Sequence, residues 1–127
     1  MVVLGSSRVV VVVEDDASLR EALKALLRSA GFRVDVFGSA EEYLGPRQAA
    51  EPACLLLDIR MPGMSGLELQ ERLVASGSPV PIVFMTAYAE AGVRARALAH
   101  GAVRILQKPF DDDALLEAID QAMGRGR

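Results

Sequence analysis

A lone cysteine, Cys54, is the whole cysteine content of the 127-residue sequence. That excludes an internal disulfide and makes a reducing cytoplasm the natural compartment. Cys54 lies against an apolar run and reads as a small core residue. The first residues lack a charged start followed by a long apolar stretch, so no secretory signal is expected. No apolar run approaches the roughly 20 residues of a membrane helix, so no membrane partner is expected. Basic charge is in deficit: 14 Lys and Arg against 17 Asp and Glu leave a net charge of −3. Direct nucleic-acid footprints are basic, so this domain is not expected to grip DNA itself, although a following DNA-binding domain would be compatible. Internal repeats and low-complexity tracts are absent as well.

What is present suits one compact domain, with 51% hydrophobic and 24% charged residues. Met1–Ser7 reads as a loose leader. Val9–Val13, five consecutive valines, predict a strand buried on both faces. Glu14, Asp15 and Asp16 follow, Asp16 as a plausible N-cap for a helix with Leu19, Leu23, Leu26 and Ala30 on its apolar side. Phe32–Phe37 alternates in character, as an edge strand does. Ser39 and Glu42 have the form of a capping box for a short helix reaching about Leu44. A third strand, about Ala53–Leu57, delivers Asp58. Pro62 and Gly63 then turn the chain into a helix opened by Ser65, with Leu67, Leu69, Leu73 and Val74 as its apolar residues and an end near Gly77.

Val80–Met85 predicts a fourth strand with Thr86 at its carboxyl end. Glu90–His100 is a weak, alanine-rich helix with only Val93 and Leu98 as larger apolar residues, expected to be the loosest element. Val103–Leu106, interrupted by Arg104, predicts a short fifth strand. Lys108-Pro109-Phe110 follows, and Asp111–Asp113 open a last helix striped by Leu115, Leu116, Ile119 and Met123. Acids there oppose the helix dipole favourably and read as structural.

Five alternations of strand and helix predict an α/β fold, a doubly wound parallel five-stranded sheet. The two interrupted strands belong at its edges. The order 2-1-3-4-5 places them so, an order known from flavodoxin-like sheets rather than dictated by these strands. All carboxyl ends then lie on one side, gathering Glu14, Asp15, Asp58, Thr86 and Lys108. Three acids in one place repel, and a hard cation such as Mg²⁺ relieves them with oxygen ligands. Carboxylates, metal, hydroxyl and ammonium together describe phosphoryl transfer onto an aspartate. Plainer readings stand beside each residue: a solvated loop and helix cap for the acids at 14–16, an ordinary strand-end threonine, a surface lysine. His100 reads as a capping or surface residue, and Tyr88 is ambiguous.

Val-Val-Glu-Asp-Asp at 12–16, Leu-Asp-Ile-Arg-Met-Pro-Gly-Met-Ser-Gly at 57–66, Met-Thr-Ala-Tyr at 85–88 and Gln-Lys-Pro-Phe at 107–110 make the chain, over about Arg8 to Met123, resemble the receiver domain of bacterial two-component response regulators. The wording is similar to the FixJ-type subgroup, whose receivers usually precede a helix-turn-helix DNA-binding domain. The resemblance implies that Asp58 accepts a phosphoryl group from a sensor histidine kinase, or from small donors such as acetyl phosphate. It further implies Mg²⁺ held by Glu14, Asp15, Asp58 and the Arg60 carbonyl, with Thr86 and Lys108 engaging the phosphoryl oxygens and a cis peptide before Pro109. Glu14 stands where aspartate is commoner, a variant the family uses.

One departure matters: Ile105 occupies a switch position where the family usually carries Tyr or Phe. Phosphorylation chemistry would survive that change, and the relay would still run through the fourth helix, fifth strand and fifth helix. Homodimerisation on phosphorylation is a further family expectation, and DNA would be met only through an output domain beyond this chain. Gly124–Arg127 reads as the start of a linker or tail, compatible also with a stand-alone regulator. The alternative of a pseudo-receiver that is never phosphorylated sits poorly with the full set of acids and lysine. A dedicated phosphatase would need an acid where Arg60 stands, so the chain is not expected to be an enzyme acting on an outside substrate. A flavin or nucleotide binder would need a glycine-rich phosphate loop after the first or third strand.

Overall fold

A computed structural model describes residues 8–46 and 51–125. Five strands, β1 (Val9–Val13), β2 (Arg33–Phe37), β3 (Cys54–Asp58), β4 (Ile82–Thr86) and β5 (Arg104–Gln107), alternate with helices α1 (Ala17–Ser29), α2 (Ala40–Tyr43), α3 (Gly66–Ala75), α4 (Ala91–Ala99) and α5 (Asp112–Arg125). The strands form one parallel sheet in the order β2-β1-β3-β4-β5, as expected. The leader at 1–7 and residues 126–127 lie outside the described residues, whereas Gly124 and Arg125 continue α5.

Side-chain alternation divides the interior into two cores. Val11, Val13, Leu55, Leu57, Ile82, Phe84 and Ile105 face the side covered by α2, α3 and α4. Val10, Val12, Cys54, Leu56, Val83, Met85 and Leu106 face the side covered by α1 and α5. The three central strands serve both cores, which is why they read as unbroken apolar runs. Cys54 is fully buried in the second, and burial pushes its thiol up to about 12.

Several element details depart from the sequence reading. Asp58 and Thr86 are the last residues of β3 and β4 rather than the first residues after them. On α1 the deeply buried residues are Leu23 and Leu27, while Ala30 is an exposed C-cap, because the helix ends one residue earlier than its stripe suggests. Val74 is 49% exposed and Leu98 47% exposed, so neither anchors its helix. Ser65 and Glu68 complete a reciprocal capping box on α3. At α2 only half of one forms: Ser39 Oγ accepts from the Glu42 N–H, but the Glu42 carboxylate accepts from the Gly38 N–H at 2.8 Å, one residue further back.

Helix α4 is held shallowly. Ala97 is its only buried residue, and Glu90 caps it without a side-chain hydrogen bond. Two polar links tie it to α3: Gln70 Nε2 donates to the Ala97 carbonyl at 3.0 Å, and Arg96 pairs with Glu71 at the surface. The Gln70 Oε1 atom is buried without a partner.

Gly66 is required by close approach. A Cβ there would overlap the Asp58 carbonyl oxygen and stand 2.9 Å from Ile59 Cα. Gly92, in α4, has nothing within 4 Å of the corresponding position. Gly66→Ala should therefore lower unfolding stability by at least about 2 kcal/mol through overpacking. Gly92→Ala should instead add a few tenths to about 1 kcal/mol through helix propensity. Urea titration of both variants checks the opposite signs, and equal effects would refute this account.

Candidate functional site

Register places the acids. Val13 pairs with Leu57 across β1 and β3, so the next residues along, Glu14 and Asp58, come level at the carboxyl edge of the sheet. The β3–β4 register sets Asp58 beside Met85, and Thr86 ends β4 next to Gln107 of β5. Lys108 follows β5, joined to Pro109 by a cis peptide as expected, and its N–H donates to the Thr86 carbonyl at 2.8 Å. Backbone geometry alone thus brings four chain segments to one edge, where ligands gather in open parallel sheets.

The lysine closes the cluster. Its Nζ donates to Glu14 Oε1 at 2.8 Å and to Asp58 Oδ2 at 3.3 Å. Glu14 and Asp58 are buried, whereas Asp15 is exposed at the rim. Oxygens of Glu14, Asp15 and Asp58 all lie within 4.8 Å of one another. The donors are carboxylates only, with neither imidazole nor thiolate among them, so the set fits a hard, oxygen-seeking cation such as Mg²⁺.

Burial pushes the Glu14 carboxyl up to about 6. The Lys108 hydrogen bond and the Asp16 N–H, which donates to Glu14 Oε2 at 3.0 Å, oppose the rise, and the Asp58 charge adds to it. For Lys108, burial by itself lowers the pKa. The hydrogen bond to Glu14 and the negative charges of Asp58 and Glu14 outweigh it, so the ammonium is held above its ordinary value.

Of the remaining predicted residues, Arg60 meets this cluster through its backbone, whereas the Thr86 hydroxyl and Ile105 are engaged elsewhere. Arg60 directs its backbone N–H to Asp58 Oδ1 at 3.2 Å, orienting the carboxylate, while its side chain is exposed. Thr86 is fully buried, and its hydroxyl is engaged by its own loop: it donates to the Tyr88 carbonyl at 2.9 Å and accepts from the Tyr88 N–H at 3.3 Å. Ile105 is buried in the α2–α3–α4 core, paired in register with Phe84. His100 is exposed at the end of α4, its Nδ1 3.0 Å from the Arg96 carbonyl, as the capping reading expects.

Two supporting residues escaped the sequence reading. Arg20 of α1 donates from Nη1 to the Glu14 carbonyl at 2.9 Å, lying over Gly38, where a Cβ would come within 3.3 Å of it. Glu41 of α2 accepts from the Met64 N–H at 2.9 Å. Arg20 is half-buried and Glu41 exposed, and for neither does the sequence offer a sign of a backbone target.

A family model described as the response regulator receiver domain matches residues 10–120. Nodulation protein W of Bradyrhizobium diazoefficiens is 44% identical over 119 residues, 94% of this chain and 52% of that protein. Transcriptional regulatory protein TdiR of Thauera aromatica is 39% identical over 123 residues, 97% and 54% respectively. Among solved structures, full-length FixJ from B. japonicum superposes with a TM-score of 0.86 at 37% identity, covering 96% of this chain and 60% of that one. Response regulator StyR gives a TM-score of 0.84 at 49% identity, covering 92% and 59%. The chain spans about half the length of the curated relatives it matches.

Glu14 binds a proton more readily in the folded chain, near pH 6, than when unfolded, near its ordinary 4.5. Without metal, its contribution therefore stabilises the fold as pH falls through about 6, and the gain is complete below about 4.5. Glu14→Gln removes that titration. The stability of the variant minus that of wild type should be about 2 kcal/mol larger at neutral pH than at about pH 4.5. Urea titrations in metal-free buffer test this, and a difference independent of pH would refute it.

Proposed function

The chain belongs to the response regulator receiver domain family, and from that footing we propose that Asp58 is the phosphoacceptor of a two-component relay. The observation that carries the proposal is the Lys108 ammonium bridging Glu14 and Asp58, with Asp15 at the rim of the same cluster. An Asp58 carboxylate oxygen attacks phosphorus. The bond from phosphorus to the donor breaks, and its electron pair leaves with the imidazole of a kinase phosphohistidine or the acetate of acetyl phosphate. The product is an acyl phosphate on Asp58, later hydrolysed to the free carboxylate and inorganic phosphate.

Each local residue has a task in that step. The Arg60 N–H keeps the Asp58 carboxylate aimed. Lys108, already between two carboxylates, follows the phosphoryl oxygens as they arrive. Thr86 exchanges its Tyr88 partners for a phosphoryl oxygen, so the loop after β4 is drawn into the event. Glu14, Asp15, Asp58 and the Arg60 carbonyl would hold Mg²⁺. When bound, that ion supplies charge neutralisation for the transferring group. An apolar recess of about 430 Å³, lined by Leu19, Ala87, Pro109 and Phe110 beside Lys108, offers a protein donor a place to rest.

The output is transcription, exerted through a DNA-binding domain outside this chain. The cytoplasm is the compartment, and a second copy of the domain joins on phosphorylation. Among the described residues no helix is long and apolar enough to cross a membrane. Ile105 relays the signal by filling space beneath α4 as Thr86 moves, without an aromatic ring to rotate.

Intact mass measured after incubation with acetyl phosphate should show one added phosphoryl group with Mg²⁺, none with chelator, and none in Asp58→Asn. An adduct surviving in Asp58→Asn would place the acceptor elsewhere. Failure with acetyl phosphate, phosphoramidate and kinase donors alike would favour an unphosphorylated interaction domain. Amide chemical shifts on activation should change across α4, β5 and α5; changes confined to the opposite face would rule out that relay surface.

A further inference from the structure

The loop from Ile59 to Ser65 carries the Arg60 carbonyl assigned above to the cation, and its shape is fixed by where its N–H groups go. Some of the N–H groups here and at the start of α3 find acceptors nearby in sequence. Arg60 donates to Asp58 Oδ1, Ser65 to Glu68 Oε1 at 2.8 Å, and Gly66 to the Ile59 carbonyl at 2.8 Å. Two reach further: Ile59 donates to the Met85 carbonyl at 2.9 Å, continuing the sheet, and Met64 donates to Glu41 Oε2, a side chain on α2 and 23 positions away in sequence.

The turn is shaped around that carboxylate. Gly63 adopts φ +76°, and a Cβ on it would stand 2.5 Å from the same Glu41 oxygen. The Met64 N–H is also the main reason the Glu41 carboxyl is held below its ordinary pKa. Short as it is, α2 is a firm base. Ser39 caps it, Glu42 ties back to Gly38, and Tyr43 is fully buried, edge-on to Phe37 with ring centroids 5.4 Å apart. Gly38, at the foot of the same turn, also lies under the Arg20 guanidinium that reaches the Glu14 carbonyl. The connection from β2 into α2 contains none of the reacting groups, yet it touches the supports of both acid-bearing loops.

We propose that Glu41 is a positioning residue for the site: its carboxylate, seated on Met64 N–H against the Gly63 turn, holds the β3–α3 loop so that the Arg60 carbonyl and Asp58 meet the cation together. This rests on the metal-dependent phosphoryl transfer assigned to Asp58. Glu41 touches neither metal nor phosphoryl group, and its effect passes through the loop backbone.

Two variants separate a hydrogen bond from a charge. Glu41→Ala loses both, whereas Glu41→Gln loses the charge but keeps an acceptor oxygen in place. Mg²⁺ affinity measured by calorimetry on the whole chain, with the metal alone as probe, should fall about fivefold in Glu41→Ala, roughly the worth of one hydrogen bond. It should stay within about twofold of wild type in Glu41→Gln, where the bond remains. Hydrogen exchange at the Met64 amide should accelerate in Glu41→Ala only, and urea titration of both variants confirms that they fold. Equal weakening in the two variants would overturn the proposal, because charge alone would then be acting. Unchanged affinity in Glu41→Ala would overturn it as well. If wild type itself binds no Mg²⁺, the metal-dependent reading falls and the proposal falls with it, a result distinct from either variant outcome.

Discussion

Like charge held at close quarters is the constraint on which this molecule turns. A parallel sheet brings every strand's carboxyl end to one edge, and here that edge carries a buried glutamate and a buried aspartate with a third acid at the rim. Such a cluster repels itself and loses solvation. The structure answers with one ammonium group, Lys108, delivered from the far side of β4 and aimed inward between the two buried carboxylates. The answer is partial: burial, with the Asp58 charge beside it, still holds the Glu14 carboxyl above its ordinary pKa against the pull of Lys108. An incompletely neutralised oxygen cluster has an appetite for a divalent cation, and a cation so held has an appetite for an anionic group. The stored imbalance links the fold to its chemistry.

Much of this was legible in the sequence because it follows from short-range rules. Five valines in a row read as a strand buried on both sides, and Ser65 was legible as the residue that opens α3. The reading of Asp58 as a strand-end carboxylate needed only the apolar run before it and the Pro62-Gly63 turn after it. What escaped is equally instructive. Arg20 and Glu41 act on backbone atoms of loops distant in sequence, and no local pattern encodes a target that only the tertiary fold brings near. Val74 and Leu98 are apolar too, yet the helical phase turns both towards solvent.

Placement of Thr86 shows a third kind of limit. Its residue type and its position at the end of β4 were apparent, but the partner of its hydroxyl was not. In this arrangement the hydroxyl closes a small turn with Tyr88 instead of facing the acids. Which partner a strand-end hydroxyl takes is set by the loop folded around it, and no local pattern encodes that.

Helix α4 invites a mechanical view. It presses one alanine into the core, hangs on the amide of Gln70, and shares a surface ion pair with α3, while the other end of that amide goes unanswered. An object fastened so lightly has a weak spring constant. The same softness means that a protein gripping α4 from outside works against few contacts within the domain.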